Sequence, residues 1–491
     1  MHCCVSPEPY LSSLNLASFF VDNFTTSGLI TPDRLLKYLK TATTIKETNA
    51  LNRIKSDSPA GRRPIVFYGW IVIAVGFITL SIAFGIWYSY SVFFLSIVSE
   101  FGWDRALASS IFSIFLICHA LTGLLSGYLQ DRYGPRIVIP VGTCILAFAL
   151  ILTSRSNNLW HFYVTYGVFA GASVSLMGFT SHSAFLPNWF ERKRGLAVGI
   201  ATSGIGFGML VIVPMVERAI ALLGWRTAYL LLAGIVLLIA GPLNAIFSRR
   251  SPAELNLHPD GDHSEMQAGR TRSFMIMKVI DADWANRDWT LRKALQTRRF
   301  WFLAATFFCL SYAYQGTLLH SISAMVDAGS ARRTAAGYFG LLGIAGSVGK
   351  ILFGSLSDRF GRERSNTVGV ITAVLGIFFL IHSNPANSFL PLVFALLFGL
   401  GYGAAAPLMP SVSADIFLGR SFGLIFAMIS IGSGAGGSLG SLLTGLLRDI
   451  SGGYTLPLAI CMLSLLLSCM FVWLAGPRKV RRMVKNNAHQ A

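Results

Sequence analysis

Gly127-Tyr128-Leu129-Gln130-Asp131-Arg132-Tyr133-Gly134-Pro135-Arg136 follows one apolar segment, and Gly354-Ser355-Leu356-Ser357-Asp358-Arg359-Phe360-Gly361-Arg362 follows another. Gly127, Asp131, Arg132 and Gly134 return as Gly354, Asp358, Arg359 and Gly361, each 227 positions later. A second set, Gly195, Leu196, Gly204, Gly206 and Gly208, returns as Gly423, Leu424, Gly432, Gly434 and Gly436, each 228 positions later. Two separate motifs that share nearly one offset mark a chain built from two related halves.

Around these motifs apolar runs recur over 68–98, 106–128, 137–154, 160–186, 196–216 and 227–247, then over 300–326, 335–356, 367–382, 389–413, 422–447 and 455–475. Each is near the roughly 20 residues that a membrane-spanning helix needs. The grouping predicts an all-α membrane protein with twelve transmembrane helices in two six-helix pseudo-symmetric bundles. The expected divisions are a disordered cytoplasmic extension over 1–64, a first bundle over 65–247, a cytoplasmic central loop over 248–299, a second bundle over 300–476 and a basic cytoplasmic tail over 477–491. Within the central loop, the acidic start and basic later positions of Asp288 to Leu295 predict a short interfacial helix. Residues 1–62 lack the basic start and apolar core of a signal peptide. They read as an extension of the kind that an upstream start codon adds. An even number of helices per half keeps the two copies in one orientation, and parallel repeats of this kind hold substrate between them near mid-membrane.

Composition agrees. Of 491 residues, 53% are apolar and 13% charged, about half the ordinary soluble share of charge. A single soluble core stops growing near roughly 250–300 residues, so a membrane must take up that apolar surface. The net charge of +18 is not a nucleic-acid patch. Of the 40 Lys and Arg, 32 fall in the termini, the central loop and the loops on their side. Seven fall in the alternate loops, and Lys350 lies inside a span. The positive-inside rule therefore places both termini and the central loop in the cytoplasm. Short loops and no signal suggest a bacterial inner (plasma) membrane. The seven cysteines show no metal-ligand spacing and none lies in an expected outside loop, so neither a metal nor a structural disulfide is expected.

The paired loop motifs resemble those of the major facilitator superfamily, over about residues 65–476. Within it, Trp189-Phe190-Glu191-Arg192-Lys193-Arg194-Gly195-Leu196-Ala197-Val198-Gly199-Ile200-Ala201 and Tyr68-Gly69-Trp70 resemble the monocarboxylate porters and the oxalate–formate antiporter group. The resemblance implies rocker-switch transport of small organic anions. It also implies that the loop motif (Gly127, Asp131, Arg132, Gly134, Arg136 and Gly354, Asp358, Arg359, Gly361, Arg362) is a gate latch. In chemical terms, Asp131 can accept hydrogen bonds from a helix N-terminus or an Arg, and such bonds hold one face shut and break in the other state. The other reading is a plain turn with solvated charges.

Ionisable residues inside spans are costly and mark function. Lys350 precedes Asp358 by eight residues, which places it about 12 Å above the motif end, close to the midplane. No Asp or Glu is expected well inside a span to neutralise it. A substrate carboxylate would serve; the alternative is a Lys that snorkels to the surface. By the resemblance, the porters carry an Arg where Lys350 stands, an Asp where Gly346 stands and a Lys where Tyr88 stands. The antiporter group's Lys has no counterpart over 422–447. Anion transport thus rests on one charge, and proton coupling by the porter route loses its acid. His320 follows Tyr312 and Gly316 at intervals of four, so the three share a stripe of a helix that lines the cavity in this superfamily. His320 is accordingly a candidate ligand, or a residue at the wet end of its helix. His182 and His119 are further candidates, each also readable as a histidine bonded to a neighbouring helix. Tyr88, Tyr312, Gln315 and Tyr402 complete the expected cavity, with Trp87, Tyr90 and Tyr314 beside them.

The sequence thus predicts a secondary carrier of a mono- or dicarboxylate, with a small anion and the bilayer as partners, protons as an open question, and a monomer. No cofactor is called for, and no catalytic set, nucleotide loop or metal site is visible. The alternatives are an efflux carrier for lipophilic compounds, or a membrane sensor that keeps the fold without transport.

Overall fold

The computed structural model describes residues 67–190, 194–255, 257–259, 275–387, 389–419 and 421–485; the extension expected over 1–64 lies outside them. Twelve helices among these residues are long and apolar enough to cross a membrane. In chain order they are α1 (Tyr68–Phe101), α2 (Arg105–Tyr133), α3 (Pro135–Ser154), α4 (Leu159–Ser183), α5 (Leu196–Leu223) and α6 (Trp225–Phe247). The second half holds α7 (Arg298–Asp327), α8 (Arg332–Phe360), α9 (Arg362–Ile381), α10 (Leu390–Phe417), α11 (Phe422–Ser451) and α12 (Thr455–Lys479). The twelve-helix reading holds. Asp131 and Asp358 lie at the ends of α2 and α8 on one face, termed here the motif face. The ends where α1 meets α2 and α7 meets α8 form the opposite face.

The loop motif makes the same turn twice. Gly134 at φ 77° and Gly361 at φ 93° occupy the left-handed region that only glycine enters freely. Each donates its N–H back into the helix it ends, to the Gln130 and Ser357 carbonyls. Pro135 and Arg362 then open the next helix, so one glycine reverses the chain within a single residue.

The helices outrun the apolar segments that predicted them. Charged residues at their ends are helical without being apolar, and two acidic groups expected outside the spans fall inside as a result. Glu217 is buried in α5 and Asp415 in α10. Neither forms an ion pair with Lys350.

The glycine triplets decide how the helices meet. Gly204 and Gly208 of α5 lie against the backbone of Phe77 and Ser81 in α1. Gly432 and Gly436 of α11 lie likewise against Ala304 and Phe308 in α7. The middle glycine of each triplet faces the other half: Gly206 meets Gly343 and Ser347 of α8, and Gly434 meets Ala120 of α2. A Cβ at any of these positions would collide with its neighbour, which is how small residues let helices approach in lipid. The two outer glycines therefore build each half, and the middle one joins the halves along α5–α8 and α2–α11.

One element departs from an all-α fold. Met275–Val279 (β1) pairs antiparallel with Arg481–Lys485 (β2), with Met277 opposite Met483. The central loop and the tail, read as separate cytoplasmic segments, are joined by this ladder. Both strands are too short for a span, so their pairing depends on elements far apart in sequence. Arg481 pins β2 by donating to the backbone oxygens of Ala414 and Asp415. The expected interfacial helix shrinks to Leu291–Leu295, capped by the Thr290 hydroxyl.

Candidate functional site

Four helices meet at mid-depth. Tyr88 of α1 and Tyr402 of α10 share a hydrogen bond between hydroxyls at 2.6 Å, linking the two halves. Tyr314 of α7 lies edge-on to Tyr402 at 5.1 Å and donates its hydroxyl to the Gly401 carbonyl. Phe339 of α8 lies edge-on to Tyr88 at 6.2 Å. Lys350 is on the same helix as Phe339, ten residues before Phe360, or about 15 Å from the motif-face end. It stands close to the tyrosine pair. A Cβ added to Gly403, next to Tyr402, would fall 2.8 Å from the Lys350 backbone nitrogen. A Cβ added to Gly346, one turn before Lys350, would fall 3.6 Å from the Tyr402 ring. Lys350 is half-buried. None of the ion pairs among the described residues includes it.

Beside Tyr88, a void of about 10 Å³ is lined by Trp87, Ser91, Phe112, Gln315, Leu318 and Phe339 among others, room for roughly one water. Trp87 Nε1 and Gln315 Oε1 are buried and have no partner among the described residues. His119 lies edge-on to the Trp87 ring at 4.5 Å. The region thus holds a hydroxyl pair and an unpaired indole N–H within an aromatic wall, and on the adjoining stretch of α8 a cation without an ion pair among the described residues. These groups suit an anion with an apolar body.

The Tyr312–Gly316–His320 stripe faces elsewhere, which corrects its reading as cavity lining. Tyr312 packs its backbone on Gly440 and Gly316 lies against Gly440 and Thr444, so the stripe is the seam between α7 and α11. His320 continues it into the contact between the halves at the opposite face, with no exposed surface. Both its ring nitrogens have partners: Ser441 and Ser109 for Nε2, Tyr454 for Nδ1. His182 is enclosed within the first half, its Nδ1 against the Gly178 carbonyl and its ring beside Phe185. A fourfold interval fixes which residues share a face, and leaves open which neighbour that face meets.

The structure is closed at the opposite face. Arg105 at the start of α2 reaches the Tyr454 hydroxyl and, at 3.0 Å, the Asp327 carboxylate, which Arg448 also holds at 3.2 Å. The Ala106 N–H donates to Asp449, and Ser113 donates to the Ser438 carbonyl at 2.8 Å. Ser347 donates to the Ser203 carbonyl nearer mid-depth. At the motif face the polar links described stay within each half. Among the described residues Asp131 has only Arg250, at 3.9 Å, and Arg136 donates to the Ala245 carbonyl. Arg132 donates to Tyr128. Arg362 bonds Ser357, Asp358 at 2.8 Å and the buried Asp415 at 3.3 Å. Leu121, Leu124, Leu125 and Tyr128 of α2 are exposed, whereas Ala108 to Phe112, nearer the opposite face, are mostly buried. The Arg105–Asp327–Arg448–Tyr454 cluster was not foreseen. Its only trace in the sequence is that Arg105 and Arg448 are two of the few basic residues in the alternate loops.

Comparison with known proteins agrees with this architecture. The chain is 27% identical over 457 residues to human monocarboxylate transporter 12, covering 89% of this chain and 84% of that one. It is 24% identical over 389 residues to the oxalate:formate antiporter of Oxalobacter formigenes, covering 76% and 84%. A bacterial homologue of the human lysosomal transporter Spinster, solved in an inward-facing and occupied conformation, shares the fold. The TM-score is 0.61, with 15% identity over 83% of this chain and 97% of that one. The family model of the Major Facilitator Superfamily matches residues 75–436, and the chain, a multi-pass membrane transporter, belongs to that superfamily.

Proposed function

We propose that the protein carries a small organic anion, a mono- or dicarboxylate, by alternating access, with Lys350 binding the carboxylate. The observation that carries this reading is Lys350, half-buried at mid-depth with its backbone against Gly403, next to Tyr402, and without a carboxylate partner among the described residues. A lone charge at that depth is costly unless an anion joins it. Tyr88, Tyr402 and Gln315, with Trp87, surround the substrate's body, and Trp87 Nε1–H offers it a second hydrogen bond. The resemblance to monocarboxylate and oxalate:formate carriers supports the same class. Gly346 stands where the porters carry an acid, so exchange or uniport fits better than symport by their route. The motif face is cytoplasmic on this reading, in a plasma membrane. Asp131 and Asp358, with Arg132, Arg136, Arg359 and Arg362, would latch that face when it shuts.

The test is thermal unfolding of the purified protein against a panel of carboxylates, with Lys350→Ala alongside. Stabilisation of the wild type alone supports the reading. An equal response in the variant, or none from any anion, removes it.

A further inference from the structure

The polar cluster at the opposite face holds a hydrogen-bond chain whose direction is fixed by its ends. Asp327 accepts from Arg105 and Arg448. The Arg105 guanidinium has only N–H donors, so the Tyr454 oxygen accepts from it. The Ser441 carbonyl, 3.0 Å from His320 Nε2, can only accept, so Nε2 carries a proton. Ser109 donates its own hydrogen to the Arg105 carbonyl at 2.6 Å, and its oxygen at 3.1 Å can share the Nε2–H. His320 Nδ1 is then the bare nitrogen of a neutral ring, and the Tyr454 O–H at 3.2 Å donates to it. Burial pushes the Tyr454 hydroxyl up to about 12 against the pull of Arg105, so it keeps its proton in ordinary conditions. The chain crosses from α2 to α7, α11 and the loop before α12.

A second proton on His320 has no place in this arrangement. Nδ1–H would confront the Tyr454 O–H, and the tyrosine oxygen would have to accept from both Arg105 and His320 and turn its own hydrogen away from the ring. The new charge would also sit among Arg105 and Arg448, with Asp327 shared between them and Asp449 engaged by the Ala106 N–H. From α1 the Phe94 ring lies edge-on to His320 at 5.2 Å. Carboxylates nearby thus cannot absorb a third cation without giving up an arginine.

We propose that His320 is an acid-sensitive latch: the neutral ring holds the opposite face shut, and its protonation favours the state in which α2 and α11 separate there. This goes beyond the substrate reading and does not depend on it. If the ring has the ordinary value of about 6.5 in the open state and takes no proton in the closed one, the open-to-closed ratio rises about tenfold from pH 7.5 to 5.5.

Spin labels at Leu107 on α2 and Ile450 on α11, both exposed at the opposite face, span the seam. They would be placed in the full-length, reconstituted protein, with accessible cysteines such as Cys144 replaced by Ala. Distance distributions are then measured at pH 7.5 and 5.5. The expected result is a longer-distance population that grows about tenfold relative to the short one in the wild type. His320→Gln, whose amide can still donate to Ser441 and accept from Tyr454, should stay short at both pH values. Tyr454→Phe, which removes the hydroxyl bonded to Nδ1, should lengthen the distance already at pH 7.5. An unchanged wild-type distribution, an acid response of wild-type size in His320→Gln, or a Tyr454→Phe protein as closed as wild type at pH 7.5 would each overturn the proposal.

Discussion

Lys350→Met separates a binding role from a structural one, because the two roles predict opposite signs. The side chain keeps its length and loses its charge. In the ligand-free protein that charge has no carboxylate partner among the described residues. Insertion scales set the cost of a lysine at the centre of a span at about 2.5–3.5 kcal/mol. Lys350 is only half-buried, so a fraction of that cost applies, about 0–2 kcal/mol after allowance for solvent. The ligand-free variant should therefore melt at the wild-type temperature or above it. Binding should move the other way. A charge-assisted hydrogen bond contributes about 1.5–3 kcal/mol, or roughly 12- to 140-fold in affinity. A carboxylate at a hundred times its wild-type Kd stabilises the wild type by about 2.7 kcal/mol. At the same concentration the variant would gain only about 1.3 to 0.3 kcal/mol. The assay is thermal unfolding of both proteins with and without ligand. Lys350→Arg, which keeps the charge, should retain most of the shift. A Lys350→Met protein that melts lower when free, and gains as much from ligand as the wild type, would refute the reasoning. Lys350 would then be a packing residue whose ammonium is solvated.

Three further outcomes follow from the geometry. The two motif copies should differ in their weight on stability. Arg362→Ala strips the buried Asp415 of its ion pair and should cost about 3–5 kcal/mol by unfolding. Asp131→Asn, at a carboxylate 75% exposed and 3.9 Å from Arg250, should cost less than about 0.5 kcal/mol. Gly436→Leu drives a side chain into the Phe308 backbone and should abolish monodisperse protein on size exclusion, whereas Gly199→Ala, with open space around it, should be neutral or raise stability by up to about 1 kcal/mol. Trp87→Phe removes an indole N–H that no described residue uses. It should leave the melting temperature of the free protein within about 1 °C while weakening carboxylate binding by roughly 2- to 12-fold in the same titration.

The parts of this molecule that were legible in its sequence are those that repeat or that lipid dictates. The Asp131 and Asp358 motifs give the twofold plan, and the apolar runs give twelve spans. Lys350 stands out because a charge is rare where it lies. What could not be read depends on which faces meet. The interval from Tyr312 to His320 puts them on one stripe, but the glycines at 436 and 440 draw that stripe against α11 and away from the cavity. Helix ends were set too short because apolarity stops before helicity does, which hid Glu217 and Asp415 within α5 and α10. The cluster of Arg105, Asp327, Arg448 and Tyr454 draws on four places far apart in the chain, and no local pattern announces it. The ladder between Met275–Val279 and Arg481–Lys485 escaped for the same reason.

The character of the seam at the opposite face bears on how the protein can move. A seam filled only with large apolar side chains would lose dispersion contacts along its whole length on opening. Here polar groups of the two halves meet directly, Ser109 and Ser113 with Ser438, Ser441 and the ring of His320, alongside aromatic contacts such as Phe94 on that ring. Their hydrogen bonds are each of modest net value because water can replace them once the face opens. The charged cap of Arg105, Asp327 and Arg448 already lies near solvent and can be rehydrated. Opening exchanges these hydrogen bonds for water, while the backbone contacts at Gly204, Gly208, Gly432 and Gly436 lie within each half. The same division assigns the two kinds of glycine in each triplet their separate tasks. The outer pair packs helices within each half, and the middle one lies where the two halves meet. On the proposed reading a bound anion and a proton on His320 would each shift the balance between the two states, the proton by about 1.4 kcal/mol from pH 7.5 to 5.5.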